Sequence, residues 1–469
     1  MASLDATVVN IALPALGEDL HAEFGGLQWV ISGYTLTLAS LILLGGSLGD
    51  RFGRRRVFVI GTLWFALAST LCAIAPTVEI LVAARALQGV GGALLTPGSL
   101  AMIQASFAED ERGKAIGAWS GFGGIASAIG PFLGGYLVAG PGWRWVFLIN
   151  LPVAVVVIAL AQRHVPESRD SHPPAHLDLV GAGLGALGLA GVTYALIGAG
   201  EGWTAMLLAA LVLGLLALAA FVVNEHRSPN PMVPPDMFRR RQFTASNVVT
   251  FLVYAALGGL FFFLVIDLQV VAGFSPILAG AALLPVTLIM LLLSSRAGAL
   301  SARIGPRLPM SGGPLVAAVG VLLLLRIGPG ASYVTDVLPG VTVFGLGLAL
   351  MVAPLTTTVL AAAGADHAGV ASGINNAVAR AAGLLAVAVL PLIAGISGDA
   401  YQQPEAFAAG FRIAVITCAV LLSAGGLTAA LTIQNPPVVQ AEKPSARRHF
   451  CAVDGPPLQL TPQDAAQTR

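Results

Sequence analysis

Gly46-Ser47-Leu48-Gly49-Asp50-Arg51-Phe52-Gly53-Arg54-Arg55-Arg56 separates two runs without Asp, Glu, Lys or Arg, 24 to 49 and 57 to 78. Each run exceeds the roughly 20 apolar residues a helix needs to cross a hydrocarbon core ~30 Å thick. The segment between them must be a tight turn: glycine lets the chain reverse and approach a neighbouring helix. Asp50 is placed to face a helix N-terminus, where a carboxylate is stabilised by about 0.3–1 kcal/mol. Positive charge beside a membrane span would account for the arginines alone, but the pattern comes back. Gly298-x-Leu300-x-x-Arg303-x-Gly305-x-Arg307 repeats the glycines, the leucine and the arginines 252 residues after Gly46, with Ala302 in place of the acid. Gly113-x-Ala115-x-Gly117 recurs as Gly369-x-Ala371-x-Gly373, 256 residues on. Nearly equal offsets mark one duplication, and both members of each pair fall on one side of the membrane, so the repeats run parallel about an axis along the membrane normal.

The rest of the chain continues the alternation. Hydrophobic residues make up 56% of it and charged residues 10%, against about 25% charge in an ordinary soluble domain. Thirteen long uncharged runs lie between residues 24 and 441, and the shorter Ala6 to Gly17 reads as the second half of a span whose first half is missing. This predicts an all-α integral membrane fold of fourteen spans. Six spans per repeat leave two, near 179–200 and 202–224, as an inserted hairpin. The expected domains are a six-helix bundle over 1–164, the hairpin over 165–225, a second six-helix bundle over 226–434 and a disordered cytoplasmic tail over 435–469. The half-length first span also leads us to expect a reading frame that begins upstream of Met1.

Lys and Arg concentrate in cytoplasmic loops. Threading fourteen spans puts twenty basic residues, Arg380 among them, on one side and Arg144, Arg326 and Arg412 on the other, with Arg85 inside a span. Both termini are therefore expected in the cytoplasm of a bacterial cell. Basic residues spread over loops at a net charge of +1 form no nucleic-acid patch. Cys72 and Cys418 lie in apolar runs and imply no disulfide framework. Residues 1–20 lack the basic start of a cleavable signal peptide.

Taken together with the duplicated turn, further motifs carry a family resemblance. The turn resembles the signature loop of the major facilitator superfamily. Leu4-Asp5-Ala6-Thr7-Val8-Val9-Asn10-Ile11-Ala12-Leu13-Pro14 resembles the first-helix motif of its fourteen-span drug:proton antiporters, the EmrB/QacA type. Ser127-Ala128-Ile129-Gly130-Pro131-Phe132-Leu133-Gly134-Gly135 resembles the fifth-helix motif of antiporters within that superfamily. Trp143-Arg144-Trp145-Val146-Phe147-Leu148-Ile149-Asn150-Leu151-Pro152 and Ser372-Gly373-Ile374-Asn375-Asn376-Ala377-Val378-Ala379-Arg380 look like the same family. The resemblance implies a major facilitator fold, with two six-helix bundles rocking about a central cavity.

A charge within the bilayer costs at least ~2.5–3.5 kcal/mol on insertion scales, so it asks for a partner or a task. Asp5 matches the family's acidic position, where a carboxyl can load and release a proton. Arg85, with Gln88 and Gly89, resembles the fourth-helix motif linked to proton coupling, a structural ion pair being the alternative. Asp267, in Leu264-Val265-Ile266-Asp267-Leu268-Gln269, stands near the outer end of the ninth span, where an interfacial carboxylate and a substrate-binding one are equally reasonable. Gln88, Asp267, Asn375, Asn376 and Arg380 are candidates for the substrate cavity. Gly130, Pro131, Gly134 and Gly135 allow close helix approach and a bend. Gly46, Asp50, Arg51, Gly53, Arg54, Arg55, Arg303 and Arg307 are the candidate latch, with Asp50 expected to reach the helix N-terminus near Gly369–Ser372 in an outward-facing state and Arg303 to lie near Gly113.

Gly183-Leu184-Gly185-Ala186-Leu187-Gly188 fits a dinucleotide pattern but lies within a span rather than after a strand. Neither Lys114 nor Lys443 completes a phosphate-binding loop, and the seven histidines lack metal-ligand spacing. No enzyme, cofactor, metal, nucleotide or nucleic acid is expected; the partners are protons, a small-molecule substrate and the lipid bilayer. The first reading is a proton-driven antiporter exporting hydrophobic or amphipathic drugs or antibiotics. A dedicated exporter of one metabolite, such as a self-made antibiotic, is the second, and a non-transporting membrane sensor the third.

Overall fold

The computed structural model describes residues 1–107, 126, 129–169, 177–364, 368–398 and 403–435. Gly113, Ala115, Gly117, Gly121, Gly124 and nearly all of the expected tail lie outside the described residues. Those described form α1 (Ala2–Asp19), α2 (Phe24–Phe52), α3 (Arg54–Ala73), α4 (Val78–Ser106), α5 (Ile129–Ala139), α6 (Trp145–His164), α7 (Leu179–Gly198), α8 (Ala205–Arg227), α9 (Arg241–Val270), α10 (Pro276–Ile304), α11 (Arg307–Leu323), α12 (Leu338–Ala363), α13 (Ala368–Ala394) and α14 (Pro404–Thr432), with no strand among them.

Twelve of these helices are long and apolar enough to cross a membrane, not the fourteen expected. Two helices fall outside this count. α1 carries Asp5, Glu18 and Asp19, three acids in 18 residues, and only Ile129–Ala139 of α5 is described. The chain is thus an all-helical, multi-pass membrane protein.

The duplication is visible in the backbone. Gly53, between α2 and α3, and Gly305, between α10 and α11, both take positive φ, 113° and 85°, a region that strains residues with a side chain. Packing repeats too. A Cβ on Gly61 of α3 would lie 3.1 Å from the Gly91 carbonyl of α4, and one on Gly313 of α11 would lie 2.9 Å from the Gly347 carbonyl of α12. The two glycine pairs are related by the sequence offsets themselves, so each repeat builds the same close helix crossing.

α7 and α8 pack on each other as a helical hairpin. Asp178 caps α7 by accepting from the Gly181 amide at 2.7 Å and takes the Asn224 amide of α8 at 2.9 Å. α7 rests on α2, where the Trp29 and Tyr194 rings lie 6.3 Å apart, and α8 is left mostly exposed.

The halves meet at the end remote from the Arg51–Arg56 turn. Phe24 of α2 packs on Phe262 and Phe263 of α9 and Phe407 of α14, with ring centroids 5.5–6.3 Å apart. Gln28 donates to the Val387 carbonyl of α13 at 2.8 Å, and Gln269 of α9 to the Ile11 carbonyl of α1 at 3.1 Å. This end is sealed by apolar burial, with few polar ties across it.

Candidate functional site

Arg85 and Gln88 stand three residues apart on α4, which puts both on one face, and that face receives Asp5 from α1. Arg85 Nη1 donates to Asp5 Oδ2 at 2.6 Å, and Gln88 Nε2 to Asp5 Oδ1 at 2.9 Å. Asn150 of α6 donates to the same Oδ1 at 2.9 Å, and Gln88 also reaches Ser69 Oγ of α3 at 2.7 Å. Arg85 also donates through Nε to the Val30 carbonyl at 3.1 Å and through Nη1 to Gln88 Oε1. Its guanidinium lies 4.3 Å from the Tyr34 ring centroid and 5.8 Å from that of Phe147. Asp5 and Arg85 are each 1% exposed, and Gln88, Asn150 and Ser69 are sealed completely.

Such a pair is held by geometry as much as by charge. Desolvating two ions consumes most of their attraction, and what remains depends on satisfying their other donors and acceptors. Here three side-chain donors converge on one carboxylate. The arrangement can hold a negative charge in a dry setting; neutralising it with one proton removes the reason for Arg85 to stay.

The helix bearing Asp5 meets α9 of the second half, where Gln269 donates to the Ile11 carbonyl, and packs closely on α5. A Cβ on Gly130 of α5 would collide with Thr7 Oγ1, and one on Gly134 would lie 3.0 Å from the Val8 carbonyl, both on α1. On its other side α5 meets the second half. A Cβ on Gly135 would lie 2.7 Å from Ile277 Cα and strike the Pro276 carbonyl, while one on Gly280 would strike the Pro131 carbonyl. Of the expected antiporter-motif positions, Gly135 and Pro131 are thus contact points between halves, while Gly130 and Gly134 pack on α1 within the first half.

Other candidates are placed differently from expectation. Gln88, expected in the substrate cavity, is enclosed in the Asp5 network because Asp5 and Ser69 consume its amide. Asn375 donates to Asn247 Oδ1 at 3.1 Å and Thr250 Oγ1 at 2.7 Å, tying α13 to α9, and the exposed Asn376 turns back to the Ser372 carbonyl. Asp50 pairs with Arg54 at 2.8 Å within its own turn and does not reach Gly369 or Ser372. Arg55 donates to the Val165 carbonyl at 3.0 Å, and Glu167 accepts the Arg55 and Arg56 amides at 3.1 and 3.2 Å, capping α3. Arg303 is exposed, and Arg307 donates to the Ala430 carbonyl at 2.8 Å. Arg51 lies 5.7 Å from the Phe52 ring, and Gly46 faces Pro97 of α4.

Asp267 is 1% exposed near the end of α9, away from the Asp5 network, and neither of its carboxylate oxygens has a hydrogen-bond partner among the described residues. Arg380 requires the largest correction. Counted above among the loop arginines, it lies twelve residues inside the 27-residue α13, because the helix begins at Ala368. Ser69 and Asn150 were missed. Asn150 sits in a quoted motif and is a lone amide in an apolar run, which is the signal that was available; Ser69 offers none, since serine is common in spans.

Residues 1–387 match the Major Facilitator Superfamily. The chain belongs to that superfamily. Among its relatives within the superfamily is puromycin resistance protein pur8 of Streptomyces alboniger, 40% identical over 403 residues, which cover 85% of this chain and 80% of that one. The methylenomycin A resistance protein of Bacillus subtilis is 33% identical over 90% of each chain. The multidrug efflux pump LfrA of Mycolicibacterium smegmatis is 34% identical over 83% of this chain and 78% of its own. Solved structures share the fold: an auto-inhibited POT family peptide transporter at TM-score 0.63 and 16% identity covers 93% of this chain and 96% of its own. A bacterial homolog of the human lysosomal transporter Spinster gives TM-score 0.63 and 16% identity over 92% of this chain and 93% of that one. This superfamily member is a membrane transporter of small molecules, not an enzyme, and its relatives are antibiotic and multidrug resistance exporters.

Proposed function

We propose that this chain is a proton-coupled antiporter that exports hydrophobic or amphipathic compounds across a bacterial cytoplasmic membrane by alternating access. In this reading α1 and α5 cross the bilayer as well, giving the fourteen-span type, and both termini face the cytoplasm. Two bundles, 1–164 and 226–434, move against each other, with the 165–225 hairpin between them in sequence. The observation that carries the reading is the placement of Asp5. Among the described residues it is the buried carboxylate of the first half, and the Ile11 carbonyl of the same helix accepts from Gln269 of α9 across the seam at 3.1 Å. A proton arriving on Asp5 loosens Arg85 and frees α1 to shift, so ion binding and seam opening share one helix.

The energetics allow it. One proton entering through ~100 mV releases about 2.3 kcal/mol, enough to sustain an approximately 50-fold gradient of a neutral compound. The test is dye transport by everted vesicles, with and without an uncoupler, for the native chain and D5N. Proton-driven accumulation that the uncoupler abolishes and D5N lacks is the expected result. Pumping that persists after the protonmotive force has collapsed overturns the proposal.

A further inference from the structure

Resting on that export reading, we propose that Arg380 binds an acidic group of the transported compound, so that the exported class is amphipathic anions with an aromatic or apolar body. Arg380 stands at the midpoint of α13, and no ion pair or hydrogen bond satisfies its guanidinium among the described residues. It is half-buried rather than sealed, so a counter-charge arriving in the bundle can reach it, and a cation within a span calls for one. Arg85, the other arginine deep in the bundle, has Asp5; Arg380 has none.

Its neighbours describe what the counter-charge is attached to. Gly373, Ala377 and Arg380 follow one another at helical spacing on one face of α13. Gly373 meets Leu43 of α2, Ala377 packs against the Tyr34, Leu38 and Ile42 cluster of α2, and further along Val387 accepts Gln28. One turn beyond Arg380, Gly383 lies against Gly258 of α9, within reach of the Tyr254 carbonyl. Arg380 therefore sits where α2, α9 and α13 converge, at the seam between the halves. Tyr34 Oη is buried and has no hydrogen-bond partner among the described residues. An acidic group placed there would take charge-assisted hydrogen bonds from Arg380, with the apolar side chains of α2 beside its body.

Charge balance gives the proposal its second consequence. Asp5 and Arg85 cancel each other, and Arg380 is left without a counter-ion among the described residues, a place that an anion fills and from which a cation would be repelled. Export of an anion against an entering proton moves two elementary charges in the same electrical sense per cycle, where a neutral compound moves one.

The experiment uses the full chain purified into proteoliposomes with an imposed proton gradient. The probes are carboxyfluorescein, an anionic xanthene dye, and rhodamine 123, a cationic dye of similar body. The native chain should move carboxyfluorescein with more than one charge per cycle, R380Q should lose at least ten-fold of that rate, and R380K should keep part of it. To separate a binding defect from misfolding, carboxyfluorescein should raise the thermal midpoint of the native chain and R380K but not of folded R380Q. Failure to move either dye sinks the export reading itself. Movement of rhodamine 123 alone, or unchanged carboxyfluorescein transport by R380Q, overturns the anion site and leaves the export reading standing.

Discussion

Asp5 and Arg85 are 80 positions apart in sequence and hold each other at 2.6 Å with neither side chain more than 1% exposed. Removing one partner from such a pair strands the other charge, which costs about 3–5 kcal/mol, whereas replacing both by apolar residues is often close to neutral. We expect D5L and R85M each to lower the thermal midpoint in detergent by several degrees and the double variant to recover most of the loss. A double-mutant cycle measures this directly. Additive losses would mean that the two side chains do not depend on each other.

Gly135 makes a prediction about conformation. Its missing side chain lets α5 rest on the backbone of α10, 2.7 Å separating a built Cβ from Ile277 Cα. That backbone cannot yield as a flexible side chain would, so G135V should disfavour the sealed state while each half stays intact. Thiol labelling of a cysteine placed at Phe24, inside the aromatic seal, should rise in G135V relative to the glycine background. Unchanged labelling with unchanged transport would show that the close contact is ordinary packing.

How far the sequence foretold this arrangement depends on the kind of signal. The duplicated turn was legible because Gly53 and Gly305 need backbone conformations that side chains resist, and because glycine at Gly61 and Gly313 is the residue that allows those crossings. Asp5 and Arg85 stood out because charge in an apolar run is expensive. Arg380 was misplaced by the same logic: cutting the spans at every charged residue put it at a helix end, although the helix extends a dozen residues to either side. Gln88 and Asn375 were read as cavity residues because a polar residue in a span looks available. Their donors are consumed within the bundle by Asp5, Asn247 and Thr250, and spacing along one helix cannot reveal a partner on another. Glu167 was invisible for the opposite reason, since an acid in a loop after α6 gives no hint that it caps α3.

The turn itself supports a third prediction. Asp50 is occupied by Arg54 here, while a Cβ at Gly369, on the first turn of α13, would meet nothing within 4 Å. If the halves rock, closing the Arg-rich end brings the Asp50 carboxylate toward the amides of that helix start, where negative charge is favoured. A D50C/S372C pair should cross-link with a short bifunctional reagent only under conditions that open the aromatic seal. Cross-linking that is equally strong in both conditions, or absent in both, removes the latch from the mechanism.

Asp267 poses the last question, because its burial has no evident structural return. An ionised carboxylate 1% exposed, with neither oxygen hydrogen-bonded among the described residues, would cost several kcal/mol. D267N keeps the shape and removes the possible charge, so it should leave the thermal midpoint of the sealed state unchanged or raise it. The same substitution separates two roles for the residue. If the carboxyl finds its partner only when the seal at that end opens, D267N should slow transport at least several-fold while gaining stability, the trade expected of a group kept for function. If it is merely a residue near the interface, transport should not change. A lowered midpoint would contradict both, since it would require a stabilising partner for the carboxylate in the sealed state.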